Sequence, residues 1–367
     1  MLLGLDISST RIRYSYSING QIQTIVKDDC AGINPDGELN KNELCRIFPV
    51  IRSEMEHISS ERITKMVIGI PFSCTHSERR WLREAIKFAG FPRTEIEMRF
   101  AVDLADMWLV NTQEFGNNAQ YGIMLKASQN YLEAAFYRNS GNVAGVLGSM
   151  GIKVNRVSSV DEFLNLEKRI KANFKQFAKD CGIPGAVTET APGAGVDANS
   201  PVEVRMIADG CYKNTITCIQ KCTRECFQKD LVLVPNTSSL GALFLGQCQE
   251  GLLVNEYASV DLRNVLMRGI TAKLGENGEF VKLVDYNTPL PVSVHGRLLI
   301  STEPTLRIFE GNYGNAKYDE VIGVFPFPEE LEGHEIDVGV KIEKNMDLWI
   351  KIVDLKTGEE LIPEKRL

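Results

Sequence analysis

One carboxylate and three hydroxyl groups lie close together near the start of the chain. Asp6 is followed by Ser8, Ser9 and Thr10. In a tight turn, hydroxyls and backbone N–H groups can hold a phosphate, and a neighbouring carboxylate can hold a hydrated metal ion. Asp and Ser are also common simply because they form good hairpin turns. These residues alone leave both interpretations open.

The flanking residues predict that this group lies at the first turn of a β-meander. Residues 2–7 are mostly apolar, and residues 12–18 alternate apolar with polar side chains, which is typical of a half-buried strand. Asn19 and Gly20 then predict a two-residue hairpin turn into a third strand. The two strands before that hairpin would hold Asp6 and the hydroxyls at the turn that joins them.

Composition limits the classes of function. A chain of 367 residues predicts two or three domains. The net charge of −7 argues against nucleic acid or an anionic membrane as a partner. The sequence has no apolar run of the length that spans a membrane and no signal-peptide pattern, so we expect a cytoplasmic protein. Nine cysteines, an odd number, favour free thiols in a reducing compartment.

The stretch Gly4-Leu-Asp-Ile-Ser-Ser-Thr-Arg-Ile12 resembles the first phosphate loop of the actin-like ATPases. The 70-kDa heat-shock chaperone (DnaK-like) family has G-I-D-L-G-T-T-N-S here. Asp6 and Thr10 match that pattern, whereas Ser8 stands where the family has Gly. The match implies that Asp6, Ser8, Ser9 and Thr10 are the candidate cofactor-binding residues.

Further stretches resemble the same family in the same order. Residues 67–91 are similar to its strand–helix unit V-P-A-Y-F…A-G-L. Residues 285–291, 308–312 and 353–359 are similar to the R-N-T-T-I-P, V-L-Q-G-E and A-x-D-x-x-T-G-K motifs of its peptide-binding β-sandwich. The chain is therefore identified as a truncated, divergent member.

The resemblance implies an α/β actin-like (ribonuclease H-like) core of two lobes, followed by an all-β sandwich. We expect the core in residues 1–255, with lobe I over about 1–115 and lobe II over about 116–255, and the sandwich in residues 256–367. The core would lack the outer subdomains of the family, and the sandwich would lack its helical lid. Residues 184–200, rich in Gly, Pro, Ala and Thr, are the best candidate linker.

The catalytic motifs of the family are degraded. Residues 121–137 predict a second strand–turn–strand where the family has D-L-G-G-G-T-F-D, but the turn contains no glycine. The two Asp positions fall on Met124 or Leu125 and on Tyr131 or Leu132. Pro235-Asn236 replace the Gly-Gly that grips the nucleotide. We therefore expect negligible ATP hydrolysis and no cofactor, with ATP and magnesium as the alternative.

Two other groups of residues could carry chemistry. Asp103 and Asp106, at i and i+3 of a predicted helix, could act as an acid–base pair, but solvated helix surface is the simpler interpretation. Residues 202–229 are predicted as one helix with four cysteines near one stripe, where core packing is favoured over a metal site. These cysteines are Cys211, Cys218, Cys222 and Cys226.

The resemblance predicts a chaperone-like protein with a degenerate, inactive ATPase half. Its sandwich would bind an extended polypeptide or a dedicated protein partner, and ordinary sandwich core is the alternative role for the candidate contacts. The candidates are Val265, Met267, Ile270, Leu298 and Ile300. Two other functions stay open: a divergent ATPase that still binds and slowly hydrolyses ATP, and a structural subunit that self-assembles.

Overall fold

The computed structural model describes residues 1–35, 37–112, 121–140, 143–154, 156–183, 186, 202–253, 261–263, 265–266, 268–276, 278–300, 303–311 and 320–367. The chain divides into two compact units. The first comprises Met1–Cys74 and Glu78–Leu262, and the second comprises Thr75–Ser77 and Arg263–Leu367. The predicted boundary at residues 255–256 and nearly all of the predicted linker at 184–200 lie outside the described residues.

The helices and strands are as follows. The helices are α1 (Lys41–Ile58), α2 (His76–Phe88), α3 (Ala101–Thr112), α4 (Val160–Cys181), α5 (Lys213–Phe227) and α6 (Ser238–Gln249), with a 3₁₀ turn at Glu329–Leu331. The strands up to residue 234 are β1 (Leu2–Ile7), β2 (Arg11–Ile18), β3 (Gln21–Asp28), β4 (Lys65–Ile70), β5 (Glu95–Phe100), β6 (Tyr121–Ala127), β7 (Tyr131–Ser140), β8 (Val143–Lys153), β9 (Val202–Ala208) and β10 (Leu231–Val234). The strands that follow are β11 (Asp261–Arg263), β12 (Gly269–Leu274), β13 (Phe280–Val284), β14 (Val292–Leu299), β15 (Thr305–Gly311), β16 (Glu320–Pro326), β17 (Glu335–Ile342), β18 (Leu348–Asp354) and β19 (Glu360–Arg366).

The first sheet contains the predicted β-meander. Its order is β3-β2-β1-β4-β5, with β1 antiparallel to β2 and parallel to β4. Asn19 and Gly20 form the tight turn between β2 and β3, both with positive φ, as that turn requires. All of β1 is buried, so the carboxylate of Asp6 at its end is held inside the protein.

The second sheet repeats the arrangement of the first. Its order is β10-β9-β6-β7-β8-β11, with β6 antiparallel to β7 and parallel to β9. The strand–turn–strand predicted over residues 121–137 is therefore confirmed as β6 and β7. The two sheets form the duplicated mixed α/β core that the actin-like resemblance implies, and separate antiparallel sheets follow it in the chain.

The single helix predicted over residues 202–229 is wrong. Val202–Ala208 is strand β9, which lies between β10 and β6 in the second sheet, and only Lys213–Phe227 is helical. Three of the four cysteines, Cys218, Cys222 and Cys226, lie in the apolar core of this lobe and are free thiols. Core packing is thus confirmed for them, and no metal-binding group occurs in the described part of the chain.

Helices α3 and α6 contact each other across closely approaching backbones. A Cβ atom on Gly241 would overlap the carbonyl group of Leu104, and one on Gly4 would overlap the backbone of α6 at Ser239 and Leu243. Glycine is required at both positions because there is no space for a side chain. Among the described helices, none is long and apolar enough to cross a membrane.

The second unit contains two four-stranded antiparallel sheets, of order β13-β12-β15-β16 and β14-β17-β18-β19. Alternate residues of β17, namely Ile336, Val338, Val340 and Ile342, are buried, as the sequence alternation predicts. Four of the five candidate peptide contacts, Val265, Ile270, Leu298 and Ile300, are also buried. Such burial is what the alternative role of sandwich core implies, and the fifth candidate, Met267, lies outside the described residues.

Candidate functional site

The turn between β1 and β2 is closed by hydrogen bonds from Ser8. The Ser8 backbone N–H donates to the carbonyl oxygen of Arg11 at 3.2 Å, and the Ser8 hydroxyl donates to the same oxygen at 2.8 Å. Across the β1–β2 ladder, Asp6 is the direct register partner of Arg13. The turn thus places a carboxylate and a guanidinium side by side at the end of the sheet.

The turn between β6 and β7 is built in the same way. The Ser128 backbone N–H donates to the carbonyl oxygen of Tyr131 at 2.8 Å, and Lys126 is the register partner of Glu133. Lys126 therefore occupies the position in the second sheet that Asp6 occupies in the first. Both registers proposed from the sequence are wrong, because the hairpin places neither Met124 nor Leu125 at that position.

The two turns meet through opposite charges. The ammonium of Lys126 lies 2.9 Å from one oxygen of Asp6. The other oxygen accepts from Arg13 at 3.3 Å and from the side-chain amide of Asn236 at 2.9 Å. Asp6 has no solvent exposure, and Lys126 is also buried. Both oxygens of the candidate metal-binding carboxylate are therefore occupied by the protein itself.

Two further carboxylates surround the same ammonium. Asp209, directly after β9, accepts from Arg13 at 3.1 Å, and Glu133 accepts the backbone N–H of Phe72 at 2.6 Å. Burial disfavours charged Lys126, but Asp6, Asp209 and Glu133 outweigh that effect and raise the pKa of the ammonium. The lysine is therefore held firmly in its charged form.

The two outer carboxylates respond differently to burial. Burial acts against ionised Asp209, but Lys126 and Arg13 prevail and lower the pKa of this carboxyl. Burial dominates at Glu133 and raises its pKa to about 7, because the attraction of Lys126 only partly offsets the loss of solvent.

These residues do not fit a magnesium nucleotide. Magnesium needs oxygen ligands with free lone pairs, and an ammonium, a guanidinium and an amide already hold Asp6. Lys126 brings a positive charge to a place where the cation would need a second carboxylate. The turns also carry side chains at Ser8 and Gln129, which oppose close approach of a phosphate to the backbone.

Of the four predicted cofactor residues, Ser8 and Ser9 lie at one cleft, and Asp6 is fully buried against Lys126, which also lines that cleft. Ser8 and Ser9 line a cavity of about 180 Å³ together with Lys126, Glu133 and Asp209. Thr10 does not line this cavity. It lies against Gly210 and lines a separate depression with Arg13 and Asp209.

Asp103 and Asp106 are buried, so the prediction of solvated helix surface is wrong. Both side chains are shielded because α3 contacts helix α6 and strands of both sheets. Asp103 accepts from the hydroxyl of Tyr137 at 2.7 Å, and Asp106 lies 3.7 Å from Arg205. Burial is the main cause that raises the pKa of each carboxyl to about 7.

No protein-family model matches this sequence, and no curated protein matches it significantly. Three solved structures show distant similarity. The ethanolamine utilization protein EutJ from Carboxydothermus hydrogenoformans is 12% identical, with 66% of this chain and 88% of that chain covered at a TM-score of 0.42. MreB5 of Spiroplasma citri bound to ADP is 10% identical, and the match covers 68% of this chain and 98% of that chain at a TM-score of 0.40. The Aquifex aeolicus PPX-GPPA enzyme is 10% identical, and the match covers 66% of this chain and 98% of that chain at a TM-score of 0.42. Similarity at this level carries no inference about function.

Proposed function

We propose that this protein is a non-hydrolysing, actin-like scaffold whose C-terminal β-sandwich binds an extended polypeptide. The observation that carries the first half is the buried contact of 2.9 Å between Lys126 and Asp6. A fixed ammonium joins the two turns where a metal ion with its phosphate would otherwise have to lie. Because that ammonium is part of the chain, the two lobes are held together without a nucleotide.

The binding half of the proposal rests on the edge of one sandwich sheet. Among the described strands, β16 is the last of its sheet, and the side chains of Val321 and Val324 are 46% and 53% exposed. An extended polypeptide can add to such an edge through main-chain hydrogen bonds, while its alternate side chains contact the exposed valines. In contrast, the edge strand β19 carries Pro363 and several charges, which oppose strand addition.

The charge near β16 indicates which polypeptide would suit this edge. The 3₁₀ turn after the strand carries Glu329 and Glu330, and Glu332 follows it directly, all of them exposed. Opposite charges favour encounter and set the direction of a bound chain. The best partner would therefore be an extended apolar segment with basic residues at one end.

A binding assay with matched variants tests this proposal. A fluorescent, unstructured apolar peptide with terminal lysines should raise its anisotropy on addition of the full-length protein, equally with and without magnesium and ATP. Val324→Asp should weaken binding about tenfold, because an unpaired charge replaces apolar contact. Leu299→Asp is the control, since Leu299 is an exposed apolar residue on the edge strand β14 of the other sheet.

Three results would contradict the proposal. Equal peptide binding by wild-type protein and Val324→Asp would remove β16 as the contact. An affinity that changes with magnesium and ATP would favour the divergent ATPase instead. Nucleotide-independent polymer formation would favour the self-assembling subunit.

A further inference from the structure

The cavity beside Lys126 is a second site of interest, and it does not depend on peptide binding by the sandwich. Its walls come from the two turns, from the segment that includes Ile33 and Asn40, and from Pro71 and Ser73. Its volume of about 180 Å³ is below the roughly 300 Å³ at which drug-sized sites begin. It corresponds to about six water molecules at roughly 30 Å³ each. Any ligand must therefore be small.

The buried charged cluster that includes the cavity-lining Lys126, Glu133 and Asp209 carries unbalanced charge. Lys126 and Arg13 are surrounded by three carboxylates, those of Asp6, Asp209 and Glu133. With Glu133 ionised, the negative charges exceed the positive charges by one. An uncompensated buried charge is costly, so this group favours a ligand that brings a positive charge and disfavours a phosphate or a carboxylate. Burial is the main cause that raises the pKa of Glu133 to about 7, so the excess negative charge is present above that pH.

Two polar atoms at the cavity have no hydrogen-bond partner within the described chain. One is the second oxygen of Asp209, a residue that is 4% exposed, and the other is the hydroxyl of Ser9. The neighbouring hydroxyl of Ser8 donates to the carbonyl oxygen of Arg11 and also helps to lower the pKa of Asp209, but a carboxylate has about four acceptor sites and can take further donors. An acceptor and a hydroxyl are thus available to a ligand that carries donors.

Part of the cavity lining is apolar. Ala31, Ile33, Pro35 and Pro71 are among the residues that line it. We propose that the cavity binds a small organic cation, with a primary ammonium directed at Asp209, Ser9 and Glu133 and a short apolar body against Ile33 and the two prolines. An ammonium carries three donors and no acceptor, which matches the unpaired carboxylate oxygen and the excess negative charge.

A matched series of probes tests this on the full-length wild-type protein. n-Butylamine, n-butanol and butyrate share one skeleton and differ mainly in charge. Ligand-detected NMR and isothermal titration should show saturable binding of n-butylamine, at least about tenfold tighter than n-butanol, and no binding of butyrate. This comparison needs no variant, so it cannot fail through misfolding.

A pair of variants locates the binding site. Glu133→Gln keeps the shape of the side chain and its acceptor for the N–H of Phe72 but removes the charge, and it should weaken n-butylamine binding about tenfold. Glu84→Gln makes the same change on the exposed face of α2 and should leave binding unchanged. Equal affinities for n-butylamine and n-butanol, preferential binding of butyrate, or n-butylamine binding that survives Glu133→Gln would each overturn the proposal.

Discussion

Replacing Lys126 by Met should destabilise the first unit by about 3 kcal/mol. The side chain of Lys126 is 7% exposed and that of Asp6 is fully buried. Removing one partner of a buried ion pair typically costs about 3–5 kcal/mol, because the other charge stays buried without its counter-ion. Arg13 and Asn236 still donate to Asp6, so the lower end of that range is expected. Met conserves most of the side-chain volume, which keeps the cavity contribution small.

A double-mutant cycle measured by urea unfolding separates the ion pair from general disruption. Asp6→Asn combined with Lys126→Met removes both charges and should cost about 2 kcal/mol less than the sum of the two single changes. Lys221→Met is the control, because the side chain of Lys221 is half exposed where it pairs with Glu167. The urea midpoint of this variant should hardly differ from that of the wild-type protein. The reasoning is refuted if Lys126→Met costs no more than Lys221→Met, or if the double variant loses the sum of the two single changes.

Three further predictions concern other parts of the chain. Since burial raises the pKa of Asp103 to about 7 and the unfolded value is about 3.9, the native state binds a proton that the unfolded state releases. The free energy of unfolding should therefore fall as pH rises from about 4 to above 7, and this group contributes up to about 4 kcal/mol of that fall. Asp103→Asn should flatten the dependence of melting temperature on pH, and an unchanged profile would contradict this. Gly241→Ala should cost about 1–3 kcal/mol, because the new methyl group meets the carbonyl group of Leu104. Gly246→Ala is its control on α6, since the nearest side-chain atom is 3.4 Å away, and equal unfolding midpoints for the two variants would refute the packing argument. Residues 263–367 should fold alone because they have their own buried core, so a fragment without a cooperative melting transition would oppose an independent second unit.

Much of the fold could be predicted because period-two alternation is a local signal. It located the meander, the hairpin at Asn19 and Gly20, and the strands of the sandwich. It also placed Asp6 at a turn. The helical spacing of the cysteines in α5 does not continue into residues 202–208, where Val202, Val204 and Met206 alternate with polar residues, which is the pattern of a strand.

The family motif places Met124 or Leu125 at the central position of the site, whereas the register of the β6–β7 hairpin places Lys126 there. A signal was present in the sequence: each turn begins with a serine two residues after a charged residue, at Asp6 and Ser8 and again at Lys126 and Ser128. The burial of Asp103 could not be predicted in this way. It depends on helices and strands that are distant in sequence and enclose α3 on several sides.

The most direct test of the account is whether magnesium and ATP bind at all. Scanning calorimetry of the wild-type protein would compare millimolar ATP with excess magnesium against the same nucleotide with EDTA. Because Lys126 and Arg13 already hold Asp6, the account predicts the same melting temperature in both. A magnesium-dependent stabilisation, which would reach about 2.7 kcal/mol at a hundred times the Kd, would show that the metal displaces Lys126 and would contradict the account.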